Sequence, residues 1–529
     1  MLRDAVARLA PQRPLSAAEV RAFARERWYV IALALITLAG FAVRVIDVAD
    51  NPRGFFTDEA SFGWNAYLVM TTGKDEHGEF LPILFRSFGE YKLPAFIYAE
   101  IPFMAVLGRT ELAVRVTAAF IGSLTLVTTY LLGREVFRRH TPALLAAGCL
   151  AILPWHIHYS RTGLGDIVTF PLFFTFGLFL FFRALREGKS LIPAAVVFGL
   201  TFYTYRSAWM VVPPILAILI LLYTEELLKD RRDALYAAAV IGFILLPIVR
   251  HLLSDTSDRS SQAWIFNIES ERSTLDLFWS QYKSYFTESF LFDKGDNGPI
   301  LRHFLPGQGE LYKWQLPLLV AGVVTLVGGL NRRYVLLLAL LPVYPLTAAL
   351  SDTSPISSRS IMGSVTFAFL TAAGVWGIIQ LMAFLARGRE TLIAGAVIGV
   401  VGVFALFSFE AYLQKYHDTY PAIAAGYWGW QDGPQAIMAH FLSVQDRYDQ
   451  MFLDGEFNAP IEFIVFYNGK KCPKCFVGAT DRYDPARRQL FALRPKNINP
   501  EQWRYEVKRQ LYYPSGELAF IFVEILGRR

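Results

Sequence analysis

The sequence predicts an all-α polytopic membrane protein with a small α/β domain at its C-terminal end. Three observations predict it. The 529 residues are 54% hydrophobic, 15% aromatic and only 18% charged, with a mean hydropathy of +0.35, too apolar for a soluble globular chain. The apolar residues fall in long blocks separated by short basic clusters, as bilayer-crossing helices require. After residue 411 the pattern changes to short mixed segments. The net charge of +6 is spread over loops and tail and gives no reason to expect nucleic acid.

Residues 1–27 form a polar cytoplasmic segment rather than a cleavable signal peptide. They include an amphipathic run opened by the capping-box pattern Ser16-Ala-Ala-Glu19. Arg3, Arg8, Arg13, Arg21, Arg25 and Arg27 precede the first span and hold this end inside. Residues 28–410 form the transmembrane domain. Spans are expected at 28–46, 112–132, 142–158, 166–183, 190–205, 207–223, 234–252, 315–330, 333–350, 360–385 and 391–410, about eleven in all, each about 17 to 25 residues long.

Lys92 to Gly108 is apolar but short and broken by Pro94, Glu100 and Pro102, so it reads as an interfacial or re-entrant helix. Loop charge supports leaving it out of the spans. Arg134/Arg138/Arg139, Arg183/Arg186/Lys189, Lys229/Arg231/Arg232, Arg332/Arg333 and Arg387/Arg389 then all fall inside. Short outer loops keep one arginine each: Arg161, Arg206 and Arg359. Two outer loops are larger, 47–111 and 253–314, the second polar and with little helical periodicity. Residues 411–529 form an extracytoplasmic domain, helical at Pro434 to Leu442 and β-like at Phe463–Tyr467 and Leu518–Val523.

The chemistry centres on Gly54-Phe-Phe-Thr-Asp-Glu-Ala-Ser-Phe-Gly63, which sets Asp58 beside Glu59 just outside the first span. Adjacent acids there can be a solvated boundary or a helix cap. Set among Phe55, Phe56, Phe62 and Trp64, they also fit a site at which one carboxylate acts as general base or orients a nucleophile. Asp166, in Tyr159-Ser-Arg-Thr-Gly-Leu-Gly-Asp166, is a second acid; the alternative reading is an N-cap. Arg161, Arg206 and Arg359 are either headgroup anchors or, with Lys92, cations converging on a phosphate. Asp296, Asn297, Arg302 and His303 lie in a Gly-rich outer loop able to contact acceptor or sugar; a plain ordered loop is the other reading. His156 and His158 lack a third metal ligand at a recognised spacing and read as packing or hydrogen-bonding residues. Cys472 and Cys475 lack the second CxxC that zinc needs and read as a local disulfide.

These residues resemble the bacterial members of the protein O-mannosyltransferase and lipid A aminoarabinose transferase superfamily, which have the C-type glycosyltransferase fold. The resemblance runs over roughly 28–410. It rests on Thr57-Asp-Glu-Ala60, Tyr91-Lys-Leu-Pro94, Glu111-Leu-Ala-Val-Arg115 with Gly133-Arg-Glu-Val-Phe137, Pro154-Trp-His-Ile-His-Tyr-Ser-Arg161, Tyr203-Thr-Tyr-Arg-Ser207 and the Gly-Asp-Asn…Arg-His loop. It implies juxtamembrane helices in the first outer loop and a polyprenyl-phosphate-linked sugar as donor. It makes Asp58 the catalytic acid residue with Glu59 beside it, puts Lys92 on the donor phosphate, and matches Asp166 to an acidic position after a Ser-Arg pair. Leu93 departs from the family, which more often has a second proline there.

Such a donor carries its own good leaving group, so cations suffice to stabilise the departing phosphate, while an acceptor hydroxyl needs a base. One carboxylate and a cationic cluster make the kit for single displacement with inversion. A retaining route would need a second, nucleophilic carboxylate, for which Glu59 and Asp166 are available. The expectation is therefore a glycosyltransferase of the cytoplasmic membrane, moving a hexosyl or pentosyl group to a hydroxyl or phosphate on a protein, lipid or polysaccharide. No cofactor is called for, and a divalent metal is left open. The alternative is a transporter or flippase of a lipid-linked sugar, which should carry midplane charges and internal repeats.

Overall fold

The computed structural model describes residues 26–87, 89–254, 264–268, 272–296, 298–469 and 471–529. The capping-box pattern at Ser16 and the arginines before Arg27 lie outside them, as does Asn297. The chain is mostly helical, at 64%.

The first helix, α1 (Trp28–Val45), is apolar all round and buries only Gly40 and Arg44, so its remaining surface suits lipid. A turn leads to α2 (Thr57–Thr72), which stops at Gly73 in the left-handed region, φ 73°, where an L side chain would be strained. The short hairpin β1 (Phe85–Ser87) and β2 (Glu90–Lys92) follows, antiparallel, with Phe85 opposite Lys92. Next comes α3 (Pro94–Leu107), with Pro94 in the first turn, where a missing N–H costs nothing.

Helix α4 (Glu111–Phe137) follows, 27 residues long and capped by the Thr110 hydroxyl, which accepts from Ala113 N at 3.2 Å. It is largely buried and packs against α1, α5 (His140–Ile152) and α7 (Gly165–Glu187). Between the last two, α6 (Pro154–Ser160) turns 60° from α5. Pro154 begins α6 because its ring blocks continuation of the preceding helix.

The helices that follow are α8 (Ile192–Thr201), α9 (Ala208–Leu222), α10 (Thr224–Lys229), α11 (Arg231–Ser254), α12 (Thr274–Ser284), α13 (Gln315–Gly328), α14 (Arg332–Val343), α15 (Leu346–Ala349), α16 (Met362–Leu385) and α17 (Glu390–Gln414), of which α10 and α12 are polar. Every expected span therefore contains a helix. Among the described residues, six helices are long and apolar enough to cross a membrane, or seven if the bent α5–α6 pair is one span. Helices α3, α8, α9 and α13 are apolar but shorter, and α14 ends at Pro342 and Val343.

Two expectations are corrected. The segment 253–314, expected to show little helical periodicity, contains the helix α12, capped by the Ser273 hydroxyl through Asp276 N, and short helical turns at Ser289–Asp293 and Leu301–His303. The β-like run Phe463–Tyr467 lies in a helix. A short, wholly apolar run has no period that separates strand from helix, and Pro460 with Glu462 in the first turn starts a helix here.

The C-terminal part adds α18 (Tyr420–Ala424), α19 (Pro434–Val444) and α20 (Pro460–Asn468). Its sheet comprises β3 (Gln450–Asp454), β4 (Cys475–Gly478), β5 (Gln489–Leu493), β6 (Trp503–Tyr512) and β7 (Leu518–Arg528), in the order β4-β3-β5-β7-β6. Strand β3 pairs parallel with β4 and β5, and β7 pairs antiparallel with β5 and β6. Helix α20 is the crossover between β3 and β4. Cys472 and Cys475, just after it, are disulfide-bonded.

Helices α13 and α16 cross backbone to backbone. A Cβ at Gly374 would collide with the Leu318 carbonyl oxygen, and one at Gly322 with that of Leu370. Small residues permit such an approach between helices that have no water to expel. Gly374→Val is expected to destabilise the protein by about 1–3 kcal/mol, as overpacking does, measured as loss of thermal stability in detergent. Gly399→Val, where a Cβ meets nothing within 4 Å, should leave it unchanged.

Candidate active site

Consecutive helical residues point about 100° apart, so Asp58 and Glu59 at the start of α2 face different surroundings. Glu59 faces inward. Its carboxylate accepts from Phe56 N at 2.7 Å, Gly163 N at 2.6 Å, and Arg115 Nε and Nη2 at 3.0 and 3.3 Å. Both side chains of the pair are fully buried. Arg115 spends its other protons on the carbonyls of Val48, Ala49, Pro52 and Gly54. With every oxygen satisfied, Glu59 is a brace for the loop that precedes Asp58 and has no lone pair free for a substrate.

Asp58 faces outward, with its side chain 28% exposed, and Oδ1 accepts from Lys92 Nζ at 2.7 Å. Lys92, 4% exposed, comes from the end of β2 and lies 4.4 Å from the centre of the Phe62 ring. Burial alone would lower the lysine pKa, but Asp58, Glu90 and the hydrogen bond outweigh it and raise the pKa. The ammonium is therefore firmly cationic.

Asp166 is in the first turn of α7, after the N-cap residue Leu164, and is not itself the cap. It is within electrostatic reach of Asp58 and Lys92. Arg206 Nη2 donates to the carbonyl of Tyr91, next to Lys92, at 2.8 Å. Ser207 Oγ donates to the carbonyl of Arg359 at 2.9 Å, and Arg359 pairs with Asp352 at 3.6 Å. Contacts thus run from Asp58 through Lys92 to the loops of Arg206 and Arg359. Arg161 is placed differently. It is 1% exposed and donates to the carbonyls of Val43, Ile46 and Asn51, with its guanidinium over the Tyr416 ring. It ties the end of α1 to the site loop, and those bonds occupy both its terminal nitrogens.

Arg302 stacks over Phe56 at 4.0 Å. Burial lowers its pKa and the charge of Asp58 works the other way, so it faces the same carboxylate as Lys92. Its loop is fastened to α6: His158 Nε2 meets the Arg302 carbonyl at 2.7 Å, and Tyr159 OH donates to the His303 carbonyl at 3.2 Å. His303 is held well below its ordinary pKa, by burial and then by Arg302, and is neutral. Burial pushes Asp296 up to about 6, against hydrogen bonds from the backbone of Ser357 and Gly298. His156 meets Arg44 Nη2 at 3.0 Å. Among the described residues no three His, Cys, Asp or Glu side chains are arranged to hold a metal.

Sequence reasoning missed Arg115, Glu76 and Glu462. Arg115 carried a usable signal, since an arginine inside an apolar helix must find an internal partner. Glu462 carried none, because only the fold brings the C-terminal part to α2.

The fold and sequence have known relatives. Residues 93–251 match the family model described as dolichyl-phosphate-mannose-protein mannosyltransferase. This stretch includes Arg161, Asp166 and Arg206 and begins just after Lys92. No curated protein matches the chain by sequence. The crystal structure of ArnT from Cupriavidus metallidurans bound to undecaprenyl phosphate superposes with a TM-score of 0.53, covering 94% of this chain and 98% of that one at 13% identity. The chain is thus similar, by sequence over residues 93–251 and by fold over nearly its whole length, to the superfamily of protein mannosyltransferases and lipid A aminoarabinose transferases.

Proposed function

We propose that the protein is a membrane glycosyltransferase. It moves a sugar from a polyprenyl-phosphate carrier to an acceptor hydroxyl at the outer face of the cytoplasmic membrane, by single displacement with inversion. One observation carries this reading: Asp58, partly exposed, is in direct contact with the buried cation Lys92, while its neighbour Glu59 is wholly engaged inside. A lone carboxylate against a cation matches what the reaction needs. The ArnT structure, whose fold this chain shares, holds undecaprenyl phosphate, and the family match is named for a lipid-phosphate sugar donor.

In the proposed step the acceptor oxygen attacks C1 of the sugar and gives its proton to the Asp58 carboxylate. The bond from C1 to the phosphate oxygen breaks, and the electron pair leaves with the polyprenyl phosphate. Lys92 and Arg302 stabilise the growing charge, with Arg206 and Arg359 on the adjoining loops. In the resting protein Asp58 occupies Lys92. An incoming phosphate competes for the ammonium and frees the carboxylate for the acceptor. Asp166 lines the same region as a second acid that orients the sugar. The basic inner loops and the disulfide of the C-terminal part support an N-terminus inside and that part outside.

Asp58→Asn is expected to reduce turnover about 10²–10⁴-fold, the range for loss of a general base, with folding retained. Sugar release or transfer from radiolabelled polyprenyl-phosphate sugars checks it. Donor movement across sealed vesicles, with no turnover in either protein, would instead favour transport. Glu59→Gln should separate from it: with Arg115 left buried and incompletely paired, stability should fall by about 3–5 kcal/mol, read as a lower Tm. Lys92→Met should weaken undecaprenyl phosphate binding about 10–100-fold, the worth of a charged hydrogen bond, measured by titration in nanodiscs.

A further inference from the structure

The C-terminal part reaches the site through α20. Phe466 from this helix packs on Phe55, ring centres 4.9 Å apart, and a Cβ at Gly63 of α2 would press on the Phe466 ring. Tyr467 OH donates to Glu111 Oε1, and the Thr57 hydroxyl donates to the carbonyl of Ala459. This docking buries Glu462, in the first turn of α20, to 3% exposure. Its Oε2 is buried with no hydrogen-bond partner. The charged and polar groups that act on it are Asp58 and the hydrogen-bonding Ser61 from α2, Glu76 from the loop after α2, and Lys92 from β2. Glu76 is itself held by the Asn65 amide at 3.1 Å and neighbours Asp75 and His77. Lys92 in turn feels Asp58, Glu90 and Glu462.

A further carboxyl within electrostatic reach of the same lysine has a consequence that depends on its charge. We propose that Glu462 is a positioning residue for Lys92, so that the C-terminal part of the chain governs how the site holds a lipid phosphate. The inference rests on the lipid-phosphate reading of the site. Burial, and then the charge of Glu76, push the Glu462 carboxyl up to about 8. At neutral pH the protonated form is therefore favoured, and the pull of Glu462 on Lys92 stays weak beside that of Asp58. Once ionised, Glu462 competes for the ammonium and repels the phosphate. Binding a phosphate beside Lys92 favours the protonated form, so affinity must fall as pH rises through the Glu462 pKa.

The test uses the full chain in nanodiscs, with undecaprenyl phosphate as probe, titrated between about pH 6.5 and about pH 9.5. Wild-type affinity should fall above about pH 8, approaching tenfold per pH unit. In Glu462→Gln, which keeps the shape and cannot ionise, the affinity relative to wild type should rise by up to about tenfold from pH 8 to pH 9. A ratio constant across the range would make Glu462 a packing residue and overturn the inference while leaving the site reading intact. Absence of wild-type binding at every pH would overturn both. Infrared difference spectra of wild type give a second measurement should the variant not fold. A protonated-carboxyl band present at neutral pH, perturbed by undecaprenyl phosphate and lost with rising pH, is expected, and its absence overturns the proposal.

Discussion

The ion pair between Glu59 and Arg115 holds the rest of the site in place. Each partner would be very costly alone in a fully buried position, where an unpaired charge loses several kcal/mol of hydration. Together, with Phe56 N, Gly163 N and the carbonyls at 48, 49, 52 and 54, they leave few polar groups unsatisfied. The pair joins α2, α4, the loop after α1 and the loop after α6 at one point. It also fixes the rotation of α2 about its axis, and that rotation points Asp58 at Lys92. A free-standing loop could not hold a carboxylate to 2.7 Å from a buried ammonium while leaving it partly exposed.

Much of the architecture was legible because a bilayer restricts the choices. Apolar stretches that must satisfy every backbone group internally can be little else than helices, and each of the eleven proved to contain one. Proline marked breaks reliably, as at Pro94 and Pro154. Length was less legible. Helices such as Ile192–Thr201 are shorter than the apolar stretch around them, because composition reports the surroundings of a residue rather than its hydrogen bonds. In the C-terminal part, Phe463–Tyr467 was misread for want of a period.

The site was legible in its residue types and less so in their roles. Asp58 and Glu59 are adjacent acids in the same apolar setting, and no local signal says which turns inward. That choice belongs to Arg115, 56 residues on. The loop arginines present the same difficulty. Arg161 lies near a span end where a phosphate cation was expected, yet its two terminal nitrogens are taken by three backbone carbonyls. Arg302 lay in a loop with little pattern and stands over Phe56, two residues before Asp58. Charge alone marked these positions; the partners each guanidinium meets after folding divide them.

The C-terminal part packs against the same loop. The segment between α1 and α4 cannot enclose Asp58 and Lys92 by itself, since α2 offers them only one face. Asn51 donates to the Tyr416 carbonyl, Thr57 N to the Gln431 side chain, and Arg53 pairs with Asp432, so the loop is clamped on both sides of its Phe55-Phe56 turn. Covering the site lowers the local dielectric and strengthens the contact of Asp58 with Lys92. Burial also raises the cost of every additional charge. A carboxyl brought in with the cover, as Glu462 is, therefore remains compatible with a buried ammonium only while most of the acids around it carry protons or partners. The same enclosure that sharpens one ion pair makes the protonation of its neighbours part of the site.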